Sequence, residues 1–329
     1  MMLRLVVLFL ILSSALAQAA SPSVLQRPIE LQTEHGRLYG SLLLPRSNSP
    51  VPVVLIISGS GPTDRDGNNP EGGRNDSLKK LALLLARNHI ASVRYDKRGV
   101  ASGLQATPDE RDLSVEGYVD DAVAWGRQLK ADPRLGPLIV LGHSEGALIA
   151  SLAAPRVGAA AVVSLSGSGR PLADVLREQI SERLPAELQA RSRQLIARLD
   201  AGQYDPNVPE PLQVLFRPSV QPYLISLLHQ DPAKAFAKLE MPALIVQGRH
   251  DIQVGVGDAQ ALQQAKPDAQ LALIDGMNHV LRIVPMDLKA QLASYRDPGQ
   301  PLAAELGQVL VPFIKTVSSG SQPAPAGEP

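Results

Sequence analysis

The 329-residue sequence has no cysteine, few aromatic residues and no net charge. Without cysteine the chain can form neither disulfides nor thiolate metal sites, and it has no cysteine nucleophile. Aromatic residues make up 3% of the chain, and 32 basic residues balance 32 acidic ones. This composition gives no reason to expect nucleic acid or an anionic membrane as a partner. Hydrophobic residues reach 44%, which is enough for a sizeable core.

The N-terminus has the pattern of an export signal. A short basic start, Met1–Arg4, precedes the apolar run Leu5–Leu12, and Ala17 and Ala19 both fit the last residue before a cleavage site. We therefore predict a signal peptide over residues 1–19 and a periplasmic or secreted mature protein. An uncleaved anchor is the alternative, but the apolar run is short for a membrane span. No stable membrane span is expected after cleavage.

Apolar runs of strand length alternate with amphipathic helical stretches along most of the chain. A hairpin over residues 28–45 precedes this alternation. The alternation predicts an α/β fold with a mostly parallel sheet and helices on both faces. We assign residues 21–168 and 241–317 to this core. Residues 318–329 are dominated by Ser, Gly, Pro and Ala, which predicts a disordered tail.

Residues 169–240 break the alternation. Two amphipathic helical stretches, 171–184 and 186–199, are followed by five prolines between Pro206 and Pro222 and by a third helical candidate at 223–229. No strand pattern interrupts this region. Because sheet strands are predicted on both sides of it, we interpret it as a helical cap inserted above the active site. A second independent domain is the alternative.

The segment Gly142-His-Ser144-Glu145-Gly146 lies between a strand-length apolar run and an apolar helical run. In that context Gly-x-Ser-x-Gly predicts a nucleophile elbow, a sharp turn that exposes the serine hydroxyl. The two glycines would leave room for the tight crossing of strand and helix. The backbone amide of Glu145, at the helix N-terminus, would point toward a developing oxyanion. The pattern therefore predicts Ser144 as a nucleophile.

A serine nucleophile needs a histidine base that is itself held by a carboxylate. Of the six histidines, His279 follows the last predicted strand, whereas His143 adjoins Ser144 on the wrong side of the turn. Asp251 follows the preceding strand. Because catalytic groups collect at the carboxyl ends of parallel strands, we predict His279 as the base and Asp251 as its orienting acid.

Two alternatives for these residues stay open. Asp275 is the fallback for the acid, and Asp258 is a weaker candidate because it opens a helix. A zinc site built from His250, Asp251 and His279 is possible by residue type, but the spacing has no compact metal-ligand pattern. We therefore predict neither a metal nor a cofactor.

A loop dense in turn-forming residues, 58–69, follows the first core strand. Its exposed amides are candidates for the second half of an oxyanion hole, with Ser60 the first choice and Gly61 the next. An ordinary polar surface loop is the alternative. The charged run Asp96-Lys-Arg98 follows another strand, and we interpret it as a structural ion-pair cluster rather than as catalytic.

At these motifs the chain resembles the α/β-hydrolase superfamily, and within it the exported bacterial esterases grouped with serine-aminopeptidase-like hydrolases. The shared segments are residues 59–68, 94–99, 142–146, 217–223, 247–254 and 277–279. The resemblance implies an α/β-hydrolase fold in which Ser144, Asp251 and His279 are nucleophile, acid and base. Ser58 departs from it, since many relatives carry histidine before the oxyanion glycine.

These residues together predict a serine hydrolase that cleaves carboxylic esters of short to medium acyl chains through an acyl-enzyme. A serine aminopeptidase, an amidase or a thioesterase would use the same triad. A non-catalytic binding protein on a hydrolase scaffold is the alternative from a different class. The expected partner is a small-molecule ester, and the sequence makes no prediction of the oligomeric state.

Overall fold

The computed structural model describes residues 23–107 and 109–320, apart from the side chains of residues 179–183. The predicted signal peptide, 1–19, lies outside the described residues, and so does the predicted tail from residue 321 onward. Ser318, where that tail was expected to begin, is the last residue of a helix. Within the described residues, no helix is both long enough and apolar enough to span a bilayer.

Eight strands form one sheet in the described part of the chain. They are β1 (Val24–Thr33), β2 (Gly36–Pro45), β3 (Val51–Ile57), β4 (Ala91–Tyr95), β5 (Leu135–His143), β6 (Ala161–Leu165), β7 (Ala243–Gly248) and β8 (Gln270–Ile274). Their spatial order is β1-β2-β4-β3-β5-β6-β7-β8. β1 and β2 form an antiparallel hairpin, and β2 is antiparallel to β4. All other pairs are parallel, which confirms the predicted mostly parallel sheet.

Helices connect the parallel strands. In chain order they are α1 (Ser77–Arg87), α2 (Val115–Lys130), α3 (Glu145–Val157), α4 (Leu172–Arg183), α5 (Ala186–Asp200), α6 (Gln213–Phe216), α7 (Gln221–Leu228), α8 (Pro232–Ala237), α9 (Val256–Ala265), α10 (Leu288–Ser294) and α11 (Ala304–Ser318). Side-chain caps define several starts. Ser114 accepts a hydrogen bond from the amide of Gly117 at the start of α2, at 3.1 Å, and Asp231 and Asp287 cap α8 and α10 in the same way.

The sheet separates two hydrophobic cores. Successive side chains of a strand point to opposite faces, so Val53 and Leu55 of β3 enter one core and Val54 and Ile56 the other. The first core is covered by α2, α3 and α9, and the second by α1 and α11. β3, β4, β6 and β7 are almost fully buried because helices cover both of their faces.

Five helices, α4 to α8, lie between β6 and β7, and the described chain has no strand there. α4, α5, α6 and α7 surround a third core that includes Leu176, Leu195 and Leu199. α7 and α8 also reach the first core, α7 through Tyr223 and Leu227 and α8 through Phe236. α8 contributes no residue to the third core, so the part of the 169–240 region that packs around that core ends with α7. We call residues 169–229 the insertion.

Candidate active site

Ser144 is the single residue between the end of β5 and the start of α3. Its φ of 56° and ψ of −123° lie in a region that residues other than glycine rarely adopt. The turn is also tight, because a Cβ added to Gly142 would lie 1.9 Å from the carbonyl oxygen of Gly146. A Cβ added to Gly146 would lie 2.4 Å from the carbonyl oxygen of Ile57. The predicted strand, sharp turn and helix are therefore present, and both glycines are required by the close approach.

Asp251 and His279 form a buried hydrogen-bonded pair. His279 Nδ1 lies 2.8 Å from Asp251 Oδ2. The other oxygen of Asp251 accepts hydrogen bonds from the amides of Gln253 at 2.8 Å and Val254 at 2.9 Å. Burial raises the pKa of Asp251, but the charge of His279 and these hydrogen bonds outweigh it, and the net pKa lies below the usual value. Asp251 is therefore a carboxylate that holds Nδ1–H of His279 and leaves Nε2 available.

His279 lies beside the elbow. Its imidazole is 4.8 Å, centroid to centroid, from the ring of His143, the residue before Ser144. Among the hydrogen bonds of the described residues, none joins the Ser144 hydroxyl to His279. Hydrogen bonds between a nucleophile and its base are often long in unliganded enzymes and tighten in the substrate complex. The structure thus joins Asp251 to His279 directly and places His279 next to the turn of Ser144.

The two alternative acids lie elsewhere. Asp275 is exposed, and its carboxylate contacts Arg249 Nε at 2.8 Å. Asp258 is buried and accepts hydrogen bonds from Ser168 Oγ at 3.0 Å and Arg170 Nε at 3.1 Å. It therefore fixes the point at which the chain leaves the sheet for the insertion. Neither carboxylate is hydrogen-bonded to the imidazole of the base.

His250, next to Asp251, has a different partner. Its Nδ1 donates to the carbonyl oxygen of Val284 at 2.5 Å, which ties the loop after β7 to the loop after β8. Over residues 23–107 and 109–320, no cluster of three or more His, Asp or Glu side chains has the arrangement of a metal site.

A cleft of about 620 Å³ opens in front of Ser144. Most of its wall is apolar and comes from the core and from the insertion, including Leu113, Leu148, Leu172, Val220, Leu224 and Leu227. The lining also includes Ser60, Gly61 and Glu145. Since residues of α4 and α7 line this cleft together with Ser144, the insertion forms part of its wall.

Two backbone amides at the cleft have no protein acceptor. Among the described residues, neither the N–H of Ser60 nor that of Glu145 donates a hydrogen bond. Glu145 is the first residue of α3, where an amide has no partner within the helix. Gly59 brings the other loop close, because a Cβ added there would lie 3.1 Å from the Cβ of Ser144. Both amides are therefore free to bind an anionic oxygen.

Two carboxylates of the cleft wall already face cations. Glu110 accepts hydrogen bonds from Arg217 Nε at 2.9 Å and from Ser219 Oγ at 2.6 Å, which joins the insertion to the segment before α2. Burial raises the pKa of Glu110, but these two partners outweigh it and the net pKa is lowered. Glu145 Oε1 lies 4.0 Å from the ammonium of Lys97.

The charged run after β4 serves two purposes. Asp96 accepts a hydrogen bond from Arg65 at 2.7 Å, and Arg98 donates one to Asp121 at 2.7 Å. Asp96 and Arg98 therefore form structural ion pairs, as predicted. Lys97 instead donates to the carbonyl oxygen of Gly59, in the loop beside Ser144. Sequence reasoning missed this contact, and the only available signal was the position of the run directly after a strand.

The sheet order, the elbow and the Asp–His pair define an α/β-hydrolase. The comparison with protein families agrees, since the model of the Alpha/beta hydrolase family matches residues 42–292. The chain belongs to this family.

Similar proteins include enzymes of more than one kind. Esterase EstD from Thermotoga maritima is 28% identical over 248 residues, which are 74% of this chain and 58% of the relative. The chain thus spans 58% of the length of this curated relative. The solved structure of Est1E from Butyrivibrio proteoclasticus has a TM-score of 0.57 and 19% identity, covering 89% of this chain and 99% of that one. Proline iminopeptidase from Mycobacterium smegmatis has a TM-score of 0.56 and 15% identity, with the same coverage of 89% and 99%.

Proposed function

We propose that the chain is a serine hydrolase that cleaves carboxylic esters. One observation carries this proposal: a buried Asp251–His279 pair lies beside the turn that holds Ser144, and Ser144 lines an apolar cleft. The similarity to esterase EstD supports the same activity. The solved structures, at 15–19% identity, support the fold alone. The type of hydrolase is therefore inferred from the chemistry of the site.

In the proposed reaction His279 Nε2 takes the proton of the Ser144 hydroxyl while the serine oxygen attacks the ester carbonyl carbon. The carbonyl oxygen becomes an oxyanion and accepts hydrogen bonds from the amides of Ser60 and Glu145. The tetrahedral intermediate collapses, the C–O bond to the alcohol breaks, and His279 returns the proton to the leaving oxygen. Water then attacks the acyl-enzyme with His279 as base, and the free acid leaves. Asp251 keeps the imidazole oriented and stabilises its charged form.

The cleft favours an ester with an apolar acyl group of short to medium length. Its wall is mainly aliphatic, and a cleft of this size holds a small ligand rather than a folded protein. An aminopeptidase needs an acidic group to bind the substrate's free amine. Glu110 already accepts from Arg217 and Ser219, and Glu145 faces Lys97. The ester is therefore favoured over the aminoacyl substrate.

The direct test is Ser144→Ala, assayed with p-nitrophenyl esters. It should reduce kcat by roughly 10⁴- to 10⁶-fold, because no other group can form the acyl-enzyme. Ser151→Ala is the matched control, since its buried hydroxyl only bonds the carbonyl of Ala147 one turn earlier in the same helix. A fluorophosphonate probe should label wild type and S151A but not S144A.

Three results would contradict the proposal. Ester turnover that survives in S144A would rule out Ser144 as the nucleophile. Faster cleavage of aminoacyl-anilides than of esters would make the protein a peptidase. A wild-type protein that neither cleaves esters nor reacts with the probe would be a binding protein on this scaffold.

We also propose export to the periplasm or the medium, on the basis of the pattern in residues 1–19. Expression of the whole chain in a bacterium, followed by mass spectrometry of the mature N-terminus, should find cleavage after Ala17 or Ala19. Leu8→Arg, which interrupts the apolar run, should leave the chain unprocessed in the cytoplasm. An intact N-terminus on exported wild type would favour the uncleaved anchor.

A further inference from the structure

Lys97 is a buried cation beside the proposed nucleophile. It lies directly after β4, and its side chain is 2% exposed. Three polar or aromatic contacts of its ammonium are present in the described chain. It donates to the carbonyl oxygen of Gly59, its ammonium lies 4.0 Å from Glu145 Oε1, and it lies 5.2 Å from the centre of the Tyr118 ring. None of these contacts belongs to the ion pairs that the rest of the charged run forms.

Burying an ammonium is unfavourable unless hydrogen bonds and counter-charges replace its water. Burial lowers the pKa of Lys97, and the carboxylate of Glu145 opposes this shift. The aromatic face of Tyr118 adds a further favourable contact for a cation. Glu145 Oε1 is itself buried, and the Lys97 ammonium is the cation that faces it.

We propose that Lys97 is a positioning residue of the oxyanion hole, holding in place the two backbone amides that bind the developing negative charge. This inference rests on the proposed function. The carbonyl that Lys97 binds and the amide of Ser60 belong to one peptide group, Gly59–Ser60. That group is planar and trans, so its C=O and N–H point in opposite directions. Fixing the oxygen on one side therefore fixes the direction of the Ser60 N–H on the other.

The same contact strengthens the donor. An ammonium on the carbonyl oxygen draws electron density through the peptide group, and hydrogen bonds in such a chain polarise one another. The Ser60 N–H becomes a better donor as a result. Lys97 also faces the side chain of Glu145, whose own amide is the second proposed donor. One cation thus contacts the Gly59–Ser60 peptide group and the side chain of Glu145.

This role has a specific kinetic signature. The oxyanion exists in the transition state and not in the bound ester, so a misdirected donor lowers kcat and leaves KM nearly unchanged. Loss of a residue that only stabilises the fold would instead lower the melting temperature, without a fall in kcat at constant KM. The two roles can therefore be distinguished by experiment.

The test is Lys97→Met, which keeps a long side chain and removes the donor and the charge. The kcat for a p-nitrophenyl ester should fall by about 10- to 100-fold, since losing one whole oxyanion donor costs about 10²- to 10³-fold. KM should stay within about threefold, and the Ki of an alkyl boronic acid, which mimics the tetrahedral intermediate, should rise by the same factor as kcat falls.

Arg98→Met is the matched control. Arg98 is the adjacent residue and forms a buried ion pair with Asp121. Its loss should lower the melting temperature while kcat and the boronic acid Ki stay within about threefold of wild type. Lys97→Gln, which keeps a neutral donor, should lose less kcat than K97M. If K97M does not fold, the kcat and the boronic acid Ki of K97Q provide the same test.

An active wild type whose Lys97 variants keep kcat and the boronic acid Ki within about threefold would overturn the inference. A wild type that is inactive on esters would overturn the proposed function instead. The backbone amide resonance of Ser60 in a ¹H–¹⁵N spectrum separates these cases without turnover. It should shift in K97M and stay in place in R98M, and an unchanged Ser60 resonance in K97M would count against the role of Lys97.

Discussion

His143 donates a hydrogen bond from Nε2 to the carbonyl oxygen of His279, 2.9 Å away. A carbonyl can only accept, so this bond fixes the His143 tautomer with its proton on Nε2. Burial, and then the neighbouring His279, lower the pKa of His143 to about 3. The residue before Ser144 therefore ties the loop of His279 to the elbow, and it does so as a neutral group.

His143→Gln should make the protein's stability less sensitive to acid. In wild type the unfolded chain takes up a proton as the pH falls below 6.5, while folded His143 stays neutral down to about pH 3. This stability is therefore fully present above pH 6.5 and is lost as the pH falls toward 3. Glutamine does not titrate and keeps a donor for the His279 carbonyl. Urea unfolding at about pH 7 and about pH 4.5 should show a smaller drop in the free energy of unfolding for H143Q.

His35→Gln is the control for this measurement, because His35 is exposed in the turn between β1 and β2. H35Q should lose as much stability as wild type over the same pH range. Equal losses in H143Q and wild type would show that His143 is protonated in the folded protein.

Asp251→Asn should reduce kcat for ester hydrolysis by about 10⁴-fold, because an amide does not stabilise the imidazolium and favours the wrong tautomer. Asp275→Asn is the control, since that carboxylate is exposed and bonded to Arg249. Steady-state kinetics of the two variants measure the difference, and D275N should stay within about threefold of wild type. A larger loss of kcat in D275N than in D251N would assign the role of the acid to Asp275.

Val220→Phe should shorten the acyl chains that the enzyme accepts. Val220 is partly buried and lines the cleft, so a larger side chain there removes volume from the acyl site. The ratio of kcat/KM for octanoyl to acetyl p-nitrophenyl ester should fall by about 10-fold or more, the equivalent of at least one methylene contact.

Ile225→Phe is the matched control for the cleft. Ile225 lies on the neighbouring α7 and packs against the core of the insertion rather than lining the cleft. It should leave the chain-length ratio unchanged even if it lowers the melting temperature. The same drop in both variants would show that the insertion as a whole, and not the shape of the cleft, sets the preference.

Long periodic patterns made most of the fold predictable. α1, Ser77–Arg87, is predictable from its sequence, because four apolar positions recur at helical spacing along it. The buried strands follow from apolar runs bounded by turn-forming residues. α8 and α10, with six and seven residues, are too short to show a period, and they were missed although Asp231 and Asp287 were available as capping signals.

The site divides in the same way. The elbow has a local pattern, so its geometry followed from the sequence. The difference in exposure between Asp251 and Asp275 cannot be read from the sequence, because both residues follow strands that end at the same edge of the sheet. Contacts between distant segments had no pattern at all. Lys97 meets Gly59 across 38 positions and His143 meets His279 across 136, and tertiary packing alone decides both.

The insertion leaves the sheet after β6 and returns before β7, and these two strands are paired neighbours. Asp258 anchors its departure point by accepting from Ser168, Gly169 and Arg170. No strand pairing depends on the helices in between. Grafting a foreign lid between these two attachment points would therefore replace the wall that α4 and α7 give the cleft while keeping the pairing of β6 with β7, which makes the shape of the cleft a modular property of this scaffold.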